Sequence, residues 1–184
     1  MEVYLWWIGG AAADHDLLGS VRKQAEHAFR VPARTWLGHD RPTDAYDPRR
    51  QQHSSTRILK WLIDRRPAHA GKVVGITDVD LFIPILTFVY GEAQLGGTAA
   101  VVSTARLLSD NGFRPDSALL GSRLQKECLH ELGHTFGLLH CPQPTCVMAR
   151  SVTLAQVDLK QPSLCHDCES RYAELSTQGH DHYE

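Results

Sequence analysis

Short apolar runs alternate with stripes of apolar residues at helical spacing through the first two thirds of the chain, which predicts strands interleaved with helices. Val3-Tyr-Leu-Trp-Trp-Ile8 has the length and the β-branched or aromatic content of a buried strand, and Gly9-Gly10 ends it. Asp14 or Asp16 can then cap a helix running to about Phe29, whose apolar positions Leu17, Leu18, Val21, Ala25 and Ala28 share one face. Residues 33–37 predict a second strand and His39 to Pro48 a polar loop. A second helix is expected from about Asp47 to Arg65, with Ile58, Leu59, Trp61, Leu62 and Ile63 facing a core.

Lys72 to Thr77 reads as a further strand, and the pattern then loses regularity between Asp78 and Gly97. Pro84 interrupts it, and Thr87-Phe-Val-Tyr90 reads as a short strand before Gly91. Thr98 to Thr104 is the next strand, and Ser117 caps a long helix reaching residue 136. The fold class expected is therefore α/β (α+β), a small mixed, twisted sheet packed by helices. No internal repeat or low-complexity tract interrupts the chain, so one domain over 1–184 is the economical expectation. Within it, a sheet-and-helix part reaches about residue 137, a C-terminal part spans about 138–176, and 177–184 is a tail.

Composition narrows the function classes. At 184 residues the chain can bury one substantial core and is short for two. With 19 basic against 21 acidic residues, a formal net charge of -2 gives no electrostatic case for nucleic-acid binding. No apolar run approaches the ~20 residues of a membrane span. The stretch from Val3 through Ala13 resembles a signal peptide in its apolar content, but Glu2 precedes it and no Lys or Arg does. A cytoplasmic monomer is the expectation.

The chemistry concentrates in residues 130 to 140, His-Glu-Leu-Gly-His-Thr-Phe-Gly-Leu-Leu-His. On a helix, His130 and His134 lie about 40° apart around the axis and roughly 6 Å apart along it, so both imidazoles reach one metal ion. Glu131 points to the neighbouring face, where a carboxylate can take a proton from a zinc-bound water without displacing a ligand. His140 joins only if the helix stops first, since six further residues of helix turn it roughly 120° away and about 9 Å along. Gly137 supplies the stop, because glycine adopts the left-handed conformation at low cost. Three histidines with one open position form a catalytic zinc geometry rather than a structural one. The chain has 11 histidines, so chance placement is the alternative, but five demanding positions filled at once make it remote.

A second constellation follows at once. Cys141 and Cys146 enclose four residues, and Cys165 and Cys168 flank His166 and Asp167. Four thiolates suit a closed tetrahedral zinc, with two disulfides as the alternative in an oxidising compartment. His166 can replace a thiolate, but four cysteines already complete the shell. Cys128, two residues before His130, reads as a packing residue.

These motifs resemble the signature of the archaemetzincins, a branch of the metzincin clan of zinc-dependent metallopeptidases. Val74 to Leu107, with Gly75-Ile-Thr-Asp-Val-Asp80 and Ala99-Ala-Val-Val-Ser-Thr-Ala-Arg106, also resembles the strands that precede the zinc helix in that family. The resemblance implies a metzincin-like fold, two zinc ions per chain, and a peptide or protein substrate. It implies that His130, His134 and His140 hold the catalytic zinc and that Glu131 is the general base. By the same resemblance Met148 is the methionine of the turn beneath the zinc, and Cys141, Cys146, Cys165 and Cys168 hold the structural zinc. It further implies an edge strand beside the cleft, with Tyr90, Gly91 and Gln94 as cleft candidates.

Two rivals stand beside this reading. One is a zinc-stabilised peptide- or protein-binding module with little turnover, which leaves Glu131 without a purpose. The other is a different three-histidine zinc hydrolase, distinguished by whether an open edge strand borders the cleft. Asp78 and Asp80 read as a strand-end turn. His180-Asp-His182 reads as a solvated terminus.

Overall fold

The computed structural model describes residues 1–11, 13–38, 40–108 and 116–178. Strands β1 (Val3–Trp7), β5 (Lys72–Thr77) and β8 (Ala99–Ser103) are almost wholly apolar because helices cover both of their faces. Around them run α1 (His15–Phe29), β2 (Ala33–Leu37), β3 (Tyr46–Asp47), β4 (Gln52–Ser54), α2 (Ser55–Arg65), β6 (Leu81–Phe82) and β7 (Gly91–Ala93). The chain continues with α3 (Ser117–Thr135), α4 (Leu154–Leu159) and α5 (His166–Gln178).

The main sheet has the order β2-β1-β5-β8-β7, with β7 antiparallel and the other four strands parallel. Registers such as Val3 opposite Ala33 and Lys72, and Val73 opposite Ala99, bring the buried side chains of the central strands into line. One face packs on α1 and α3 through Leu18, Val21, Phe29, Leu124 and Leu129. The other packs on α2 through Ile58, Leu59 and Leu62. A second, three-stranded sheet, β3-β4-β6, flanks it, so the expected single small sheet is in fact two. No described helix is long and apolar enough to cross a membrane.

The elements expected from the sequence recur with four differences. The helix expected from Asp47 starts instead at Ser55, because residues 46–54 pair as β3 and β4 around Gln51 in the left-handed region (φ 54°). Ser54 then caps α2 by accepting from the Arg57 N–H. The short strand expected at Thr87–Tyr90 is only a bridge between Leu81 and Val89, and the edge strand falls at Gly91–Ala93. The cap of α3 is Asp116, whose carboxylate accepts from the Leu119 N–H at 2.7 Å, and Ser117 is the first helical residue. Helices α4 and α5 were not anticipated, although Thr153 and Gln156 form a complete capping box at the start of α4.

Candidate metal centre

The two halves of the histidine cluster arise differently. α3 sets His130 and His134 one turn apart, and their Nε2 atoms approach to 3.2 Å. His140 arrives by a reversal of the chain: Gly137 takes φ +92°, its N–H donates to His134 O, and the Leu138 N–H donates to Gly133 O. One nitrogen from each of the three imidazoles lies within 4.8 Å of the others.

Hydrogen bonding fixes how the rings face. His130 Nδ1 lies 2.8 Å from Val147 O, and His134 Nδ1 lies 2.7 Å from Leu138 O. A carbonyl oxygen only accepts, so both Nδ1 atoms carry the proton. Burial lowers the proton affinity of all three imidazoles, most strongly that of His130, where the Lys160 charge adds to it. The lowered proton affinity favours neutral rings, and with Nδ1 protonated the His130 and His134 Nε2 lone pairs face each other at 3.2 Å. Such an arrangement is repulsive without a shared cation, and the donor set fits a divalent ion that favours imidazole.

Glu131 is 6% exposed and sits about 60° around the helix from His134. Its carboxylate lies against the edge strand β7, since an ideal Cβ placed on Gly91 would meet Glu131 Cγ at 2.6 Å and Oε1 at 2.8 Å. Burial, and after it the Glu127 carboxylate, raises the proton affinity of Glu131 well above that of an ordinary glutamate. Beneath the helix, Met148 is fully buried and its sulfur occupies the space beside Gly133, which lies between the two helical histidines.

The four cysteines converge separately, with their sulfurs within 4.8 Å of one another. All are thiols, so the disulfide alternative does not describe this arrangement. Cys141 Sγ and Cys165 Sγ are 3.7 Å apart, while the Gln143 and Cys165 N–H groups donate to the sulfurs of Cys141 and Cys146. Burial and then Cys146 push the Cys168 thiol far above its ordinary value. Burial also opposes ionisation of Cys165, but bonds from the Cys168 N–H and the neighbouring thiols outweigh it and lower that thiol. Sulfur atoms collected this closely and met by backbone N–H groups fit a tetrahedral thiolate-bound ion. The Cys141 N–H donates to Met148 O at 2.9 Å, which joins this cluster to the turn under the histidines.

Other candidates fall elsewhere. His166 points away from the cysteines, its side chain 91% exposed. Cys128 is buried in the core at 2% exposure. Asp78 accepts from the Gly10 and Ala11 N–H groups and pairs with Arg41, while Asp80 pairs with Arg106; both are structural at the strand ends. Tyr90 packs in the core against Phe88, Gly91 borders Glu131, and Gln94 holds the β7–β8 turn by accepting from the Thr98 N–H. His180 and His182 lie outside the described residues.

Sequence reading missed the part played by Gly133. A glycine in a helix interior is costly, and its place between two histidines was the signal that a neighbouring group needs the space. It also missed the pair of Lys160 and Glu127, which is buried below the site with Nζ 2.7 Å from Oε1. Nothing in the local pattern around Lys160 announces it.

A sequence profile described as peptidase family M54 matches residues 40–174. The archaemetzincin of Haloarcula marismortui is 43% identical over 132 residues, covering 70% of this chain and 75% of its own. Among solved structures, archaemetzincin from Methanopyrus kandleri superposes with a TM-score of 0.83 at 35% identity, covering 96% of both chains. A zinc-dependent peptidase from Methanocorpusculum labreanum superposes at 0.82 with 27% identity, covering 92% of this chain and 99% of its own. The profile match spans both clusters, and the chain belongs to peptidase family M54, the archaemetzincins.

Proposed function

We propose that this metallopeptidase hydrolyses peptide bonds at the histidine cluster, with Glu131 moving the proton and a second, structural zinc at the four cysteines. His130, His134 and His140 would hold the catalytic zinc. Bound there, zinc supplies a Lewis acid that polarises the scissile carbonyl and lowers the pKa of water toward about 7. Glu131 accepts the proton of the attacking water and delivers it to the leaving amine. Its raised proton affinity suits a group that must hold that proton between the two steps.

The observation that carries this reading is the convergence of three imidazole nitrogens, with two Nε2 atoms 3.2 Å apart and the Glu131 carboxylate on the same helix and against an edge strand. Strand β7 pairs with β8 on one side only among the described residues. Its free backbone groups suit an extended peptide laid beside Glu131, which favours peptides over other substrates of three-histidine hydrolases.

Peptide-library cleavage read by mass spectrometry, on protein of measured zinc content, tests the proposal with Glu131→Gln as control. Cleavage that disappears in the variant while zinc content stays at two per chain supports it. Unchanged turnover in Glu131→Gln refutes the role of that residue, and binding without cleavage by the parent chain favours a binding module.

A further inference from the structure

Lys72 opens β5, and among the described residues its half-buried ammonium group forms no ion pair with a carboxylate, while burial lowers its proton affinity. A buried ammonium needs acceptors. Nζ finds two, Gly97 O at 2.6 Å and Thr135 O at 2.7 Å, and lies 5.2 Å from the centre of the Phe136 ring. These acceptors belong to different elements. Gly97 is in the turn between β7 and β8, and Thr135 is the last residue of α3, next to His134. The same turn touches the same helix end a second time, where the Gly96 N–H donates to His134 O at 2.9 Å.

We infer that Lys72 is a positioning residue for substrate, a bracket that fixes the edge strand β7 against the end of the helix bearing His134. Strand β7 has two anchors on α3. At Gly91 it rests on Glu131, and the turn that follows it is held at Gly96 and Gly97 through His134 O and Lys72. The first sets the carboxylate beside the strand. The second sets how far along the helix the strand lies, and hence the register in which a peptide paired with β7 meets the histidines. A cation suits the place because the last carbonyls of a helix are unpaired and carry its negative end. This role rests on β7 being the substrate edge, as proposed above.

The test compares Lys72→Met, which removes the donors, with Lys72→Arg, which keeps them. Hydrogen exchange at the Gly96 amide is expected to speed up by about tenfold in Lys72→Met and to return near the parent rate in Lys72→Arg. With an unmodified decapeptide taken from the cleavage library, KM is expected to rise about tenfold in Lys72→Met, with kcat within about twofold of the parent and Arg restoring KM. Unchanged Gly96 exchange, or a fall in kcat at constant KM, overturns the inference. Decapeptide binding to the zinc-loaded Glu131→Gln chain, with and without Lys72→Met, separates the two readings. If the parent cleaves nothing but Lys72→Met still speeds Gly96 exchange and weakens that binding, hydrolysis fails and the bracket stands. Should Lys72→Met not fold, Lys72→Ala, which also removes the donors, carries the same comparison against Lys72→Arg.

Discussion

Met148 and Gly133 are complementary: the methionine sulfur fills the space that any side chain at residue 133 would claim. Because Gly133 lies between His130 and His134, this contact is a floor beneath the helical half of the histidine cluster. Gly133→Ala is therefore expected to lower stability by ~1–3 kcal/mol through overpacking and to weaken retention of the catalytic metal. Melting temperature and zinc stoichiometry measured on one preparation check both effects. A variant that melts and binds zinc like the parent would remove the floor from the account.

Gly91 has a similar relation to Glu131, the residue proposed above to move the proton. A methyl group there meets the carboxylate at 2.8 Å and forces it to move. Gly91→Ala is expected to lower kcat by about tenfold or more while zinc content stays at the parent value. Steady-state kinetics beside metal analysis would show it, and an intact kcat would mean that Glu131 tolerates displacement.

Removal of metal is expected to act on stability mainly through the cysteines. Cys146→Ser should lower the melting temperature by about 6–12 °C, equivalent to ~3 kcal/mol, because structural-site binding energy is folding energy. His140→Ala should instead cost catalytic zinc with a smaller change in melting temperature. Chelator titration followed by circular dichroism would resolve two steps, and a single step shared by all variants would contradict separate sites.

The buried pair of Lys160 and Glu127 holds α3 against the segment that follows α4. Glu127→Gln strands the Lys160 charge in the interior and is expected to cost ~3–5 kcal/mol. Replacing both residues by apolar ones of similar volume should cost less than either single change. A double-mutant cycle in urea would measure the coupling.

Acid sensitivity is expected from Asp158, which receives two hydrogen bonds of 2.7 Å from Arg123. The Arg123 hydrogen bonds hold the Asp158 carboxyl below its usual range in the folded chain, so the folded state favours the ionised form. The resulting stability is fully present above the ordinary aspartate pKa of about 4 and is lost as the pH falls through the lower, folded value. Asp158→Asn should flatten the stability profile below about pH 4, and an unchanged acid slope would exclude this pair as its source.

The histidine cluster was legible in the sequence because its rules are local. Helical spacing brings His130 to His134, and Gly137 announces the reversal that delivers His140. The central strands were legible for a related reason, since burial on both faces leaves continuous apolar runs such as Val3–Trp7 and Ala99–Ser103. The edge strand was not. Gly91-Glu-Ala93 has neither alternation nor β-branched residues, and it is a strand because β8 lies beside it. The premature start assigned to α2 has the same origin, because pairing of Gln52 and His53 with their neighbours overrides local helical preference. Lys72 and Lys160 show the remaining gap. Each is a charge whose partners lie on distant elements, and no window along the chain contains both ends of such a contact.

His140 and Cys141 are consecutive residues, one facing the imidazoles and the other the thiols. Consecutive α-carbons are about 3.8 Å apart whatever the chain does elsewhere, so no slack separates the two clusters. Whatever drags Cys141 from its three companions also drags the third imidazole, so failure at the thiols reaches the histidines, whereas loss of the ion at the histidines leaves the thiols in place. Damage to sulfur is thus expected to be read out as lost hydrolysis.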